Sequence, residues 1–344
     1  MNTKKAPEQD PAFKPGAGLD IGTMNIVSAR RDRDGNVQTH KVRDAFLDLD
    51  RDARRSLKMS KVDYVEKETA LLVIGDSALT MANLFKREAR RPLSRGVIAA
   101  GEIDAQEILS LLTHQVLEDP VVEGEHCFFS VPAAPLDDLD QDIHYHTEIF
   151  RKIITEHGYV AHPANEAMAI IYSQCAKETF SGLAISFGAG MCNVALAYQA
   201  AQGMDFALAR GGDWVDSQSA KAVGRTAAQM CAIKEKGVNL AKPKGREQEA
   251  IVLYVRALID YCLVNVTAQF KKVQGEVSLP EPIPFVVSGG SSKAEGFMAI
   301  FQEQFEAARK DFPIDISEVR HATNPLTAVA EGLLVLAIEE HEDE

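Results

Sequence analysis

The sequence predicts a two-part α/β architecture on three observations. Strand-like runs alternate with helix-like runs along the whole chain, the pattern of an α/β protein. Two strand–turn–strand stretches, GLDIGTMNIVSA (Gly18 to Ala29) and AISFGAGMCNVAL (Ala184 to Leu196), nearly match each other. Asp20 in the first stands where Ser186 stands in the second, 166 positions later. That offset is about one domain, which suggests a duplicated architecture with a facing turn in each half.

The elements run as follows. Residues 1 to about 15, rich in charge and proline, read as a loose tail. Ala17 to Ala29 is strand, turn, strand. Asp44 to Glu68 is charged and poorly periodic; the short strand in TALLVIGDSA and the basic run KREARRPLSRG follow, together suggesting a small inserted subdomain. Ile108, Leu111, Leu112 and Val116 recur at helical spacing after Asp104. HCFFSVPAAP is a buried strand ended at Pro132, and a helix from about Leu139 to His157 closes on Gly158. YVAHPA is a strand and NEAMAIIYSQCAK opens a helix. After the second glycine turn come a hairpin through MDFALARGGD and helices between Trp214 and Ala232. A long helix covers about Glu247 to Val273, PFVVSGGSSKAEGF is strand, turn, helix, and PLTAVAEGLLVLAIEE is the last helix.

The bulk properties narrow the function classes. The chain has 344 residues, 46% hydrophobic and 25% charged, with a net charge of −13. So much negative charge disfavours contact with phosphate backbones, and no nucleic-acid partner is expected. No apolar run approaches the roughly 20 residues of a membrane span, and the N-terminal stretch has no signal-peptide core, so direct membrane insertion is not expected. The five cysteines show no CxxC pair and lie in apolar or helical contexts. Buried reduced thiols and a cytoplasmic setting follow as expectations. His144 and His146 fall on different helix faces, which argues against a metal site and for surface positions.

DIGTMN, SFGAGMCN and SGGSSK are three glycine-rich turns. Such turns let backbone N–H groups approach an anion with no Cβ in the way. GAGMCN lacks the third glycine of a dinucleotide fingerprint and runs on into a strand, and GGSSK does not fit a P-loop. Singly, each also reads as an ordinary turn. Paired in symmetric halves, two of them suit a clamp on a polyphosphate.

In chain order these stretches resemble the actin-type ATPase superfamily, and within it bacterial actins of the MreB and MamK kind. GLDIGTMN resembles the first phosphate loop and SFGAGMCNVAL the second. SVPAAP and NEAMAIIY resemble the strand end and connecting segment between the halves. RGGDWVD with IKEK resembles the nucleoside-side elements, and VVSGGSSKAEGF the adenosine loop. RGVIA, GDSA and NPLTAVAEG also have counterparts, so the likeness spans about residues 17 to 338.

The resemblance implies an actin-like fold: two duplicated α/β domains, 16–160 and 161–338, flanking a nucleotide cleft. The first carries the subdomain inserted at about 40–100, and an acidic tail covers 339–344. It implies ATP/ADP and Mg²⁺ as ligands. Asp20 would organise the metal and act catalytically with Glu166, which would orient the attacking water. Gly22, Thr23, Met24 and Asn25 would hold the β-phosphate side, and Ser186, Gly188, Ala189 and Gly190 the γ-phosphate side. Gly212 and Asp213 match the ribose-side turn, Lys234 and Glu235 the pair beside the adenosine, and Gly289, Gly290 and Ser291 the base-side loop. Each side chain also has a plainer reading. Asp20 suits a turn-capping carboxylate, Glu166 a helix N-terminal acid, and Lys234 and Glu235 a solvated helix end.

Two features depart from the family pattern. Ser186 replaces the usual aspartate of the second phosphate loop, so binding should survive and hydrolysis should slow. Only about a dozen residues, GVNLAKPKGRE, stand where relatives carry a small sheet, too few to build one given strands of about 5–6 residues. A reduced outer subdomain in the second half is therefore expected. The implied function is a cytoskeletal ATPase that polymerises with itself into filaments, possible adaptor proteins being further partners. A non-polymerising nucleotide-binding scaffold or sensor and a sugar-kinase-like phosphotransferase are the alternatives.

Overall fold

The computed structural model describes residues 14–138, 140–272 and 279–343. In chain order its elements are β1 (Ala17–Ile21), β2 (Asn25–Arg31), β3 (Val37–Arg43), β4 (Phe46–Leu49), α1 (Arg54–Met59), β5 (Val65–Glu66), β6 (Leu71–Ile74), α2 (Asp76–Phe85), β7 (Leu93–Ser94), β8 (Val97–Ile98), α3 (Ala105–Val116), β9 (His126–Val131), α4 (Ile143–Glu156), β10 (Val160–Asn165) and α5 (Glu166–Gln174). The second half contains β11 (Gly182–Phe187), β12 (Cys192–Tyr198), β13 (Ala201–Leu208), α6 (Gly212–Val223), α7 (Ala227–Glu235), α8 (Gly245–Lys272), β14 (Ile283–Ser288), α9 (Phe297–Ala308), β15 (Ile316–His321) and α10 (Ala328–Asp343).

Two five-stranded sheets of one design organise the chain. Their orders are β10-β9-β1-β2-β3 and β13-β12-β11-β14-β15. Each starts with an antiparallel three-stranded meander and adds two parallel strands beside its first strand. The duplication inferred from the paired glycine turns is therefore present in the topology. The strands β11, β14 and most of β12 are buried along their length, covered on both faces, which explains their near-continuous apolar runs.

The small sheet β4-β6-β5, with α1, α2 and the hairpin β7-β8, is inserted after β3. It has its own core of Leu47, Leu57, Leu71, Val73 and Met81. In the second half, residues 236–244 make a single bridge, Asn239 to Glu295, and hold no strand. The reduced outer subdomain is thus seen as expected, carried by α6 and α7.

Helices α5 and α10 join the halves. Ala167, Met168, Ile171, Val329 and Leu333 pack with Ala184, Ala195 and Val286 of the second sheet. Ala330, Leu334 and Ile338 of the same α10 pack against Val27 and Ala29 of the first. The two helices cross where a Cβ on Gly332 would lie 1.8 Å from the Ala169 carbonyl oxygen. Only glycine permits that approach.

Several readings need correcting. The helix expected from Leu139 begins at Ile143, because the Asp142 side chain caps it by accepting from the Tyr145 N–H at 2.8 Å; Leu139 itself lies outside the described residues. His146 is fully buried against Phe150, its ring centroid 4.9 Å away, on the apolar face of α4, whereas His144 is exposed. The helices expected between Trp214 and Ala232 are present as two, separated at Gly224 and restarted by a capping box of Thr226 and Gln229, and they extend to Gly212 and Glu235. The long helix starts at Gly245, and Val273 is outside the described residues. The acidic tail from 339 instead continues α10 to Asp343, where Lys14 pairs with Glu342 at 2.5 Å. Residues 1–13 are not among those described.

Helix α8 is long and apolar enough to cross a membrane by length and composition. One face, including Ile251, Leu258, Cys262 and Val266, is buried in the core of the second half. All five cysteines are free, and all but the half-buried Cys231 are buried.

Candidate functional site

The site lies between the sheets, where the two hairpin turns meet. In the first, the Gly22 N–H donates to the Asn25 carbonyl at 3.1 Å; in the second, the Gly188 N–H donates to the Met191 carbonyl at 2.9 Å. The repeat of that bond follows from the repeat in sequence. A Cβ on Gly190 would come within 2.5 Å of the Thr23 hydroxyl oxygen and 2.8 Å of the Gly96 nitrogen, so the turns abut and the inserted subdomain leans on both. The Thr23 hydroxyl accepts from the Gly96 N–H at 3.0 Å.

The remaining turns are stitched to the second one. The Gly212 and Asp213 N–H groups donate to the Gly188 and Ala189 carbonyls, each at 2.9 Å. The Ser291 hydroxyl donates to the Gly188 carbonyl at 3.1 Å, and the Lys234 ammonium to the Gly212 carbonyl at 2.9 Å. One cavity of about 890 Å³ results. Asp20, Gly22, Thr23, Met24 and Asn25 line it from the first half and Glu166 from the connecting helix. Ser186, Gly188, Ala189, Gly190, Gly212, Asp213, Lys234, Glu235, Gly289, Gly290 and Ser291 line it from the second half. Every residue singled out from the sequence faces this one space.

The cavity floor holds the titratable groups. Asp20 lies one residue before the end of β1, and the Ser130 hydroxyl donates to it at 3.0 Å while accepting from the Ile21 N–H at 2.7 Å. Glu166 opens α5, with Asn165 capping the helix through the Ala167 and Met168 N–H groups. The Asn193 amide donates to Glu166 at 2.8 Å, and its carbonyl oxygen accepts from the Ala133 N–H at 3.1 Å. Burial raises the Asp20 carboxyl well above the usual range; the nearby Glu166 charge adds to the rise and the Ser130 bond opposes it. Burial also raises Glu166, and a hydrogen bond with Ser186 pulls it back. Two carboxylates thus face one pocket, and among the described residues neither has an ion-pair partner. Proximity of this kind favours a shared proton or a bound cation.

Lys234 is held by Asp216 at 2.9 Å. Burial pushes the Asp216 carboxyl up to about 6, against the pull of Lys234. The carboxylate of Asp213 takes a two-pronged bond from Arg91, at 2.8 and 3.3 Å, and Glu235 pairs with Arg43. Sequence reasoning missed Ser130, Asn193, Asp216, Arg43 and Arg91. Ser130 and Asn193 carried a signal: each is a polar residue flanked by apolar neighbours within its strand, in HCFFSV and CNVALAY. The arginines carried none, because they come from the inserted subdomain and from the end of β3, far along the chain from their partners.

A family model described as Volactin matches residues 16–337. A sequence comparison with curated proteins finds no match. Among solved structures, the chain is similar to the MamK double helical filament at TM-score 0.69 and 17% identity, covering 93% of this chain and 98% of that one. It is similar to MreB5 of Spiroplasma citri bound to AMPPNP at TM-score 0.64 and 15% identity, covering 96% and 98%. It is also similar to the ethanolamine utilization protein EutJ from Carboxydothermus hydrogenoformans, at TM-score 0.56 and 16% identity, covering 96% and 92%. These likenesses establish the actin-like fold.

Proposed function

The chain belongs to the Volactin family, and from that premise we propose that it is an actin-like cytoskeletal ATPase that polymerises with itself. The observation that carries this reading is the floor constellation: Asp20 and the Asn193-held Glu166 between two matched glycine turns. The similar structures add support, one being a double helical filament and another bound to AMPPNP.

Within the turns Gly22–Asn25 and Gly188–Gly190, backbone N–H groups other than those of Gly22 and Gly188, which close the turns, would take the phosphates. Glu166, fixed by Asn193, would orient the attacking water, since phosphoryl transfer depends on positioning and charge neutralisation more than on covalent chemistry. Gly212, Gly289, Gly290 and Ser291 would frame the nucleoside, with Lys234 anchored beside it.

The donor set fits magnesium: hard oxygens only, with a buried carboxylate, Asp20, that makes no ion pair among the described residues. The described residues contain no cluster of three metal-ligating His, Cys, Asp or Glu side chains. Asp20 would therefore hold the ion together with water and phosphate oxygens. When bound, the ion neutralises charge building on the phosphates. Ser186 brings no charge to this site, which favours slow hydrolysis and supports a second reading, a nucleotide-sensing scaffold. A cytoplasmic setting and recruitment of adaptors belong to the same proposal.

Electron microscopy and pelleting with ATP, AMPPNP or ADP and magnesium test it. Filaments with ATP and AMPPNP that shorten as ATP is consumed are expected. Nucleotide binding without any pelleting over a range of salt would transfer the case to the scaffold.

A further inference from the structure

The two halves are fastened differently at the floor and at the mouth of the cavity. At the floor the joints are backbone hydrogen bonds, the bonds of one carboxylate, and packing. The Leu136 N–H donates to the Ala207 carbonyl at 2.9 Å and the Ala207 N–H to the Ala134 carbonyl at 3.0 Å. Asp137 accepts from the Ala209 N–H and the Tyr261 hydroxyl, both at 2.7 Å, and α5 and α10 lie beneath. At the mouth, two side-chain ion pairs reach across. Arg91 of the inserted subdomain holds Asp213 at the start of α6, and Arg43 at the end of β3 holds Glu235 at the end of α7. Residues separated by 122 and 192 positions are thereby joined.

Arg91 is also tied into its own half. Its guanidinium donates to the Thr23 carbonyl at 3.4 Å, inside the first phosphate turn. The fully buried Asp44 acts on it as a second carboxylate, held by the Leu93 N–H at 3.3 Å and placed by its own N–H on the Met24 carbonyl at 3.0 Å. The arginine therefore touches the turn expected to hold phosphate, the inserted subdomain and the opposite wall.

We propose that Arg91–Asp213 and Arg43–Glu235 form a latch across the cleft, with Arg91 a positioning residue that sets how long nucleotide stays bound. The inference rests on the nucleotide-binding reading. Opening the mouth requires breaking these two ion pairs and parting the Gly190 turn from Thr23 and Gly96, while the two sheets stay intact. The Asp213 and Glu235 carboxylates are then engaged by arginines, a role the sequence had assigned to nucleoside contacts. The Arg91–Asp213 side chains are about one-third exposed, at 32% and 31%, so salt should weaken the latch.

The test is release of fluorescent mant-ADP from the full chain, chased by excess ADP with magnesium at about 50 mM and about 500 mM NaCl. In wild type, release is slow and speeds up with salt. Arg91→Ala should release about two- to fivefold faster at low salt, the range expected for one ion pair of this exposure, with a flattened salt dependence. The charge swap Arg91→Asp with Asp213→Arg should return both rate and salt dependence toward wild type. A release rate for R91A equal to wild type, or a swap as fast as R91A, overturns the latch. If R91A fails to give a cooperative melt, Arg43→Ala and its swap with Glu235→Arg carry the same outcomes. Wild-type protein that never takes up mant-ADP overturns the proposed function and the latch with it, whereas normal uptake with latch-independent release overturns the latch alone.

Discussion

Asn193 donates to Glu166 at 2.8 Å while its carbonyl oxygen accepts from the Ala133 N–H at 3.1 Å. One amide of the second sheet thus fixes the carboxylate of the connecting helix and fastens the first half beside it. Asn193→Ala should lower ATP turnover by about tenfold or more with a smaller change in nucleotide affinity, because a freed Glu166 loses its aim. Steady-state phosphate release and mant-ATP titration check this. A larger loss of affinity than of turnover would assign Asn193 to binding.

Ser186 is almost fully buried, and its hydrogen bond tempers Glu166. Ser186→Asp would place a third carboxylate beside Asp20 and Glu166. The cation-free protein should lose about 1–3 kcal/mol of stability by like-charge repulsion and burial. Magnesium with ATP should recover much of that loss. Thermal melts in EDTA and in magnesium with AMPPNP measure both, and equal penalties in the two conditions would refute the shared-cation site.

Gly332 sits where α10 crosses α5, with room for hydrogen only. Gly332→Ala gains helix propensity but forces the helices apart. A net loss of roughly 1–3 kcal/mol is expected, read as a fall of ~2–4 °C in Tm for a chain of this size. An unchanged melt would mean that the crossing is looser than the packing indicates.

Asp216 titrates near 6 in the folded protein against an ordinary 3.8. Because the folded-state value is raised, the native protein binds the proton more tightly than the unfolded chain does. Stability therefore increases as pH falls through 6 toward 4, and the ionised carboxylate costs stability above 6. Asp216→Asn should flatten that part of the pH profile, an effect bounded by roughly 3 kcal/mol. Denaturant melts at pH 4.5 and about 7, compared between the two proteins, decide it; a profile unchanged by the substitution would refute this assignment.

Much of the cleft was legible from sequence because its chemistry is local. A glycine turn between two strands occupies about six consecutive residues, and its backbone donors are placed by that short stretch alone. The same turn appearing twice disclosed the duplication, and two five-stranded sheets of matching order carry it. Helix ends were less legible. Asp142 and Thr226 act through caps that shift a boundary by a few residues, and His146 is buried by the register of α4 against Phe150, which periodicity alone did not assign.

The sequence by itself determined the α/β class, the paired turns, the missing acid at Ser186 and the shortened segment before α8, since each is written in consecutive residues. Tertiary structure decided that Asn193 holds Glu166, that Ser130 holds Asp20, and that Arg91 and Arg43 reach across to Asp213 and Glu235. Those partners lie 27 to 192 positions apart. Hydrogen bonds and ion pairs act over a few ångströms of space, so only the folded chain can select which distant side chains meet.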